Sequence, residues 1–176
     1  MPHILMIATG GTIACCETAH GLSPALDSAA LLGALPELSA LCTVETLDLM
    51  QLDSTDVTAA DRQRMAQAVW QNREKFDGFV LTHGTDTLEE TAYLLDLVHN
   101  SEKPVCLTGA MRSAAEISPD GPVNLLCAVR TAASSEARGK GVLVVMNEEI
   151  HAAREVVKSH SANTETFVSP FWGPLG

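Results

Sequence analysis

The chain has 176 residues, 46% of them hydrophobic and 19% charged, which excludes a disordered segment and gives one domain ample length for a core. With 22 acidic against 11 basic residues the formal charge is −11, which argues against nucleic acid or an anionic membrane surface as partner. No segment is long and apolar enough to cross a membrane, and the run at Ile4–Ile7 is too short, and lacks the basic flank, for a signal peptide.

The five cysteines are Cys15, Cys16, Cys42, Cys106 and Cys127. Their number is odd and no C-x-x-C occurs, so they read as reduced thiols in a reducing compartment, and the cytoplasm is the expected location. Cys15 and Cys16 lie in a predicted loop with no activating base beside them.

In chain order, Ile4 to Ala8 is an apolar run that predicts the first strand, stopped by Thr9-Gly10-Gly11-Thr12. Two glycines there allow a tight turn and a close approach to a ligand. Ile13 to Pro24 has no helical period and reads as a mobile loop over the strand end, either a lid or only a connection. Ser28 to Leu35 predicts a short helix ended by Pro36. Val44 to Leu49 predicts the second strand, leading to Gln51-Leu52-Asp53-Ser54-Thr55-Asp56. Thr58 or Asp61 can cap a helix over Arg62 to Lys75, with Met65, Ala68, Val69 and Phe76 facing inward.

Phe79-Val80-Leu81 is the third strand, followed by Thr82-His83-Gly84-Thr85-Asp86-Thr87 and a helix over Leu88–Val98. Val105-Cys106-Leu107 is the fourth strand, left through Thr108-Gly109-Ala110-Met111-Arg112. Pro122 suits the first turn of a helix running to about Ser135. Gly141 to Met146 is the fifth strand. Beyond Asn147 the short runs Glu155–Lys158 and Thr166–Val168 predict a small antiparallel appendage.

The fold class is therefore α/β: an open parallel sheet of about five strands with helices on both faces, flavodoxin- or Rossmann-like in its three layers, plus a small C-terminal β appendage. Each strand feeds a polar or glycine-bearing turn on one edge of that sheet, where open α/β sheets bind ligands. Thr12, Asp53, Ser54, Thr85, Asp86 and Arg112 are thus expected on one rim, forming a pocket.

Two strand-end threonines suggest a hydroxyl nucleophile, which needs a base or charge partner to release its proton. Asp86 adjoins Thr85, and Lys158 is the candidate base. Backbone N–H groups at Gly11, Thr12 and Thr85 are placed to hold an oxyanion, pointing to acyl transfer at an amide or ester carbonyl. A phosphate-binding turn at Gly10-Gly11-Thr12 lacks both glycine-rich spacings. The six histidines show no metal-binding pair, so no metal is expected. His83 and Arg112 read as structural, Arg112 pairing with a nearby acid such as Glu116, and Trp70 and Trp172 read as packing residues.

Thr9-Gly10-Gly11-Thr12-Ile13-Ala14 and Gly78 to Ala92 resemble the two signatures of the bacterial-type L-asparaginase and glutaminase-asparaginase family. Lys103-Pro104-Val105, Thr108 to Arg112, Asp120-Gly121-Pro122-Val123-Asn124-Leu125, Val144 to Asn147 and Trp172 to Gly176 also fit it. The resemblance implies a cofactor-free amidohydrolase that converts L-asparagine, and possibly glutamine, to the acid and ammonia through a threonine acyl-enzyme. It places the nucleophile at Thr12 and proton handling at Thr85, Asp86 and Lys158. Substrate contacts fall at Gly11, Asp53, Ser54, Thr55, Gly84, Thr85, Asp86 and the Ala110 carbonyl, with Ser54 on the α-carboxylate and Asp86 on the α-ammonium.

The resemblance also implies that residues 1–176 are a catalytic N-terminal domain, with the family's smaller C-terminal domain absent, and a homodimer or homotetramer at full length. Two features depart from the pattern. The family's loop tyrosine has no counterpart, since Tyr93 lies in a predicted helix and Leu22 stands near that place. Ser54-Thr55 replaces the common Ser-Gln. Two other readings stay open: a non-catalytic amino-acid-binding module, and the ammonia-generating subunit of a tRNA-dependent amidotransferase.

Overall fold

The computed structural model describes residues 1–18, 21–24 and 26–176, with backbone alone for 17–18 and 21–24. Strand β1 (His3–Gly10) carries Ile4 and Met6 into one apolar cluster and Leu5 and Ile7 into another. Its unbroken apolar run thus reflects burial on both faces of a sheet. A single 3₁₀ turn at Thr12–Ala14 follows, then an antiparallel hairpin of β2 (Cys15–Thr18) and β3 (Gly21–Pro24). The expected unstructured loop over 13–24 is therefore partly a hairpin, whose four-residue strands are too short to display a period in the sequence.

Helix α1 (Ser28–Gly33) starts where the Asp27 carboxylate accepts the Ala30 N–H at 2.8 Å, and it ends earlier than expected. Its last turn passes into a 3₁₀ segment at Pro36–Ala40, since proline cannot supply the next helical N–H. Strand β4 (Thr43–Leu52) leads through Asp53 to helix α2 (Ala59–Asn72). Thr58 and Asp61 cap α2 together, each side chain accepting the other's backbone N–H.

Next come β5 (Gly78–Thr82), α3 (Leu88–Val98), β6 (Val105–Thr108), α4 (Gly121–Ala133) and β7 (Val142–Met146). After β7, β8 (Glu149–Ala152) folds back against it, and β9 (Val157–Lys158) pairs antiparallel with β10 (Phe167–Val168).

The main sheet runs β4-β1-β5-β6-β7-β8, with every pair parallel except the last. The expected sheet had five strands, and β8 makes a sixth. It is joined to β7 by Asn147 and Glu148, both with positive φ (52° and 62°), as a two-residue primed hairpin turn requires.

Residues of α2 and α3 pack on one face with Phe79, Leu81, Leu107 and Val144. Residues of α1 and α4 pack on the other with Val80, Cys106, Leu143 and Val145. Leu81 is 0% exposed, and truncating such a side chain to alanine costs about 2–5 kcal/mol.

The chain steps outward from β1 to β4 and then returns past β1 to β5. The connections leaving β1 and β5 therefore diverge, which opens a crevice at their C-terminal ends. This is the switch point, and it positions the site.

Both tryptophans depart from the expected packing role. Trp70 is 51% exposed, with the Arg73 guanidinium 3.6 Å from its ring, and Trp172 is 81% exposed. The last residues run along the outer edge of β8, where Leu175 donates to the Ile150 carbonyl and Ile150 to that of Gly176.

Candidate active site

Three strand-end turns are pressed together at the switch point. Gly11, at φ +80°, follows β1 and donates its N–H to the Leu52 carbonyl at 3.0 Å. A Cβ on Gly11 would run into the backbone of Gly84, and one on Gly84 would stand 2.7 Å from both Cβ and Oγ of Ser54. Glycine at 11 and 84 is thus what lets the turns after β1, β4 and β5 touch. Thr12 is one residue beyond this contact and half-buried, and Thr85 is one residue beyond it on the other turn and 7% exposed.

Ser54 is 3% exposed and bridges the β4 and β5 turns. Its Oγ accepts the Asp86 N–H at 3.2 Å, and its carbonyl accepts the Thr87 hydroxyl at 2.8 Å. Asp53 caps the 3₁₀ turn Ser54–Asp56 and accepts both the N–H (2.9 Å) and the hydroxyl (2.8 Å) of Thr55. These hydrogen bonds hold the Asp53 carboxyl below the usual carboxylate range.

Lys158 arrives from β9. Its Nζ donates to Thr85 Oγ1 at 2.8 Å and to Asp86 Oδ1 at 2.6 Å. The lysine side chain is 12% exposed and that of Asp86 61%, so the pair sits at the lip of the crevice with the amine inside. The Lys158 backbone N–H donates to the Glu89 carboxylate, which ties β9 to the first turn of α3. Sequence reasoning did not single out Glu89.

On the other side of Thr85, a Cβ on Gly109 would stand 3.2 Å from the Thr85 methyl, so the turn after β6 closes on it. Ala110 follows, 1% exposed. Asp53, Thr55 and Asp86 are exposed, so the expected pocket is an open shelf around the buried Ser54, Gly84, Thr85 and Ala110.

Arg112 stands apart from that shelf. It is exposed and donates to the Ser118 carbonyl at 3.4 Å, while Glu116, its expected partner, accepts the Ser113 N–H at 2.8 Å. Tyr93 is on α3 and 49% exposed, and the Leu22 side chain lies outside the described residues.

Cys15 adjoins the shelf and donates its thiol to the Gly11 carbonyl at 3.5 Å. Burial, the Asp53 charge and Cys16 push its thiol up, away from the reactive thiolate. Among the described residues no group of three or more His, Cys, Asp or Glu is placed to hold a metal ion.

His83 is 0% exposed and lies under the β5 turn, with Nδ1 2.7 Å from the Gly84 carbonyl and Nε2 3.0 Å from Thr91 Oγ1. Burial pushes its pKa down. It holds the turn from below, in line with the structural role expected of it.

A half-buried lysine joined to a threonine hydroxyl and a carboxylate, beside two glycine-bearing turns, is an arrangement suited to moving protons near a hydroxyl nucleophile. Residues 3–176 match the sequence family described as Asparaginase, N-terminal. The chain belongs to the asparaginase family.

Among relatives, it is 43% identical over 181 residues to the probable L-asparaginase periplasmic of Haemophilus influenzae, covering 100% of this chain and 52% of that protein. It is 39% identical over 180 residues to L-asparaginase 2 of Escherichia coli, with coverage of 100% and 52%. The solved structure of the probable cytoplasmic L-asparaginase from Campylobacter jejuni matches with a TM-score of 0.93 at 42% identity, covering 100% of this chain and 54% of that one. The chain spans about half the length of the curated relatives it matches.

Proposed function

We propose that this chain carries the catalytic residues of an L-asparagine amidohydrolase. The observation that carries the reading is the Lys158 amine, 2.8 Å from Thr85 Oγ1 and 2.6 Å from Asp86 Oδ1, on the turn pressed against that of Thr12. In this reading Ser54 holds the α-carboxylate of the substrate and Asp86 its α-ammonium, with Asp53 and Thr55 completing that end of the shelf.

The Thr12 hydroxyl attacks the side-chain amide carbonyl, and its proton passes to the Lys158–Thr85 pair. Backbone N–H groups beside Gly11 and Thr85 stabilise the oxyanion. The carbon–nitrogen bond then breaks, the nitrogen takes up the proton, and ammonia leaves an aspartyl ester on Thr12. Water attacks that ester with the same pair accepting its proton, which releases L-aspartate and restores the hydroxyl.

The assay is ammonia release from L-asparagine by the protein at its natural length. Thr12→Ala is expected to lower kcat by about 10³-fold or more, as for loss of a nucleophile. A denaturing mass spectrum of the quenched reaction should show an aspartyl adduct on the wild type and none on Thr12→Ala. Undiminished turnover by Thr12→Ala defeats the assignment.

The names of the relatives point both to the cytoplasm and to the periplasm. All five cysteines are free thiols, which favours the cytoplasm for this protein. Self-association into a dimer or tetramer is part of the same proposal, and sedimentation of the natural-length protein decides it.

A further inference from the structure

Ala110 is held by two side chains that the reaction itself does not call on, Asp120 just before α4 and Asn124 in its first turns. The Asp120 carboxylate accepts the Met111 N–H at 3.1 Å and 3.0 Å through its two oxygens, and the Arg112 N–H at 2.8 Å. Asn124, 1% exposed, donates from Nδ2 to the Gly109 carbonyl at 3.1 Å and to Asp120 Oδ2 at 3.1 Å. Its Oδ1 accepts the Asn147 N–H at 2.9 Å, which adds the end of β7 to the same knot. Every polar atom of these two side chains that faces the chain is matched to a donor or acceptor of the right kind.

The geometry of a trans peptide gives this clasp a consequence. Among the described residues every peptide is trans, and in a trans peptide the C=O and the following N–H point in opposite directions. Drawing the Met111 N–H onto Asp120 therefore turns the Ala110 carbonyl away from α4. The neighbouring residues place Ala110 in the fold. Gly109 packs against the Thr85 methyl, and a Cβ on Gly121 would stand 2.9 Å from Ile13 Cγ1 and 3.5 Å from the Ala110 methyl. Ala110 thus lies between the turn bearing Thr85 and the residue that follows Thr12.

We infer that Asp120 and Asn124 are positioning residues that aim the Ala110 carbonyl, the contact to the substrate's side-chain amide that the family resemblance implies, into the crevice. This rests on the amidohydrolase reading for the identity of the donor. The clasp makes the site prefer an amide over the product acid, because a carbonyl can accept from –NH₂ and has nothing to accept from a carboxylate.

Asp120→Asn is the discriminating variant. Placed either way round, the new –NH₂ faces a donor, the Arg112 N–H on one side or Asn124 Nδ2 on the other, so at least one arm of the clasp opens. The chain contains a single Ala–Met pair, Ala110–Met111. Protein labelled with ¹³C-carbonyl alanine and ¹⁵N methionine therefore gives one peptide signal from this sequence, reporting the clasped N–H and the aimed C=O together.

On the Thr12→Ala background, which retains substrate, the Met111 amide is expected to be protected from exchange, and asparagine is expected to shift the Ala110 carbonyl. Asp120→Asn should lose both effects. In otherwise wild-type protein of natural length it should lower kcat/KM for asparagine by about 10- to 100-fold, the cost of a misaimed hydrogen bond. Inhibition by L-aspartate should stay within about twofold, since the Ser54 and Asp86 end is untouched.

An unprotected Met111 amide overturns the clasp without recourse to any variant. Unchanged kcat/KM, or equal losses for asparagine and aspartate, overturns the aiming role. Absence of asparagine turnover by the wild type would instead defeat the amidohydrolase reading, while the protection of Met111 still decides whether the clasp exists.

Discussion

Thr91 Oγ1 accepts the Arg62 Nε–H at 3.1 Å and stands 3.0 Å from His83 Nε2. The Gly84 carbonyl beside Nδ1 can only accept, so the buried neutral ring takes the Thr91 proton at Nε2. His83 is therefore the neutral tautomer with its proton on Nδ1, given to the Gly84 carbonyl at 2.7 Å. Arg62 is itself held by Glu90 at 2.6 Å, so a chain of bonds runs from the surface to the turn that carries Thr85. Two-bond ¹⁵N correlation of the imidazole should show this one tautomer. Thr91→Val should keep this tautomer, which the Gly84 carbonyl sets, while shifting the Nε2 signal as that nitrogen loses its donor.

The same histidine predicts a pH dependence. Burial, and secondly the Arg62 charge on the lowering side, depress its folded pKa against the Gly84 and Glu90 contributions, and burial depresses that of His151. Below the unfolded value of about 6.5 the unfolded chain takes up protons that the native one refuses. Stability should therefore fall as pH drops below that value, by up to about 1.4 kcal/mol per pH unit for each histidine. Urea midpoints at several pH values test this. His83→Gln should flatten the slope by about one proton, and an unchanged slope would assign the dependence to other groups.

Lys158 should be irreplaceable for turnover. Lys158→Met keeps the stem and removes the amine that contacts Thr85 and Asp86. A fall in kcat of about 10²–10⁴, typical of losing a proton-transfer group, is expected with little change in thermal midpoint. A variant that keeps its kcat would exclude the amine from the proton path.

The triple turn contact predicts a specific rescue. Gly84→Ala would place its methyl group against Ser54 Cβ and Oγ at 2.7 Å and should destabilise by about 1–3 kcal/mol, as overpacking does. Adding Ser54→Gly removes the opposing atoms and should recover part of that loss. Additive behaviour in a double-mutant cycle would mean that the two turns do not touch.

Cys15 should alkylate more slowly than a free thiol at neutral pH. Asp53→Asn should speed it, because the aspartate charge is one of the causes that raise its pKa. A rate indifferent to Asp53 would separate the cysteine from the shelf.

Much of the frame was legible because burial on both sheet faces leaves unbroken apolar runs such as Phe79-Val80-Leu81. Helix α3 coincides with its expected span, Leu88–Val98, where Leu88, Thr91, Ala92 and Leu95 repeat with the helical period and are buried. Strand β8 was not legible. Its four residues Glu149-Ile150-His151-Ala152 mix charge with partial burial, and a glutamate at positive φ is not the residue that a primed turn advertises.

In the candidate site, Thr12, Ser54, Thr85 and Asp86 stood out as side chains at strand ends. The clasp of Asp120 and Asn124 did not, because its work is done on backbone groups. A carboxylate that satisfies N–H groups of a neighbouring loop looks in sequence like any residue near a helix start. His83 was read as structural, but its partner Thr91 on α3 and the Arg62 guanidinium behind it on α2 leave no local trace in the sequence.

The contact between Lys158 and Thr85 joins residues 73 positions apart, across β6, α4, β7 and β8. Such a contact has no local precursor and forms only after the intervening strands have docked. The amine therefore reaches the hydroxyl in the finished topology and in no partly assembled one. Under the proposed activity, recovery of turnover during refolding should thus follow the slowest global phase with no earlier burst, a clock for completion of the fold.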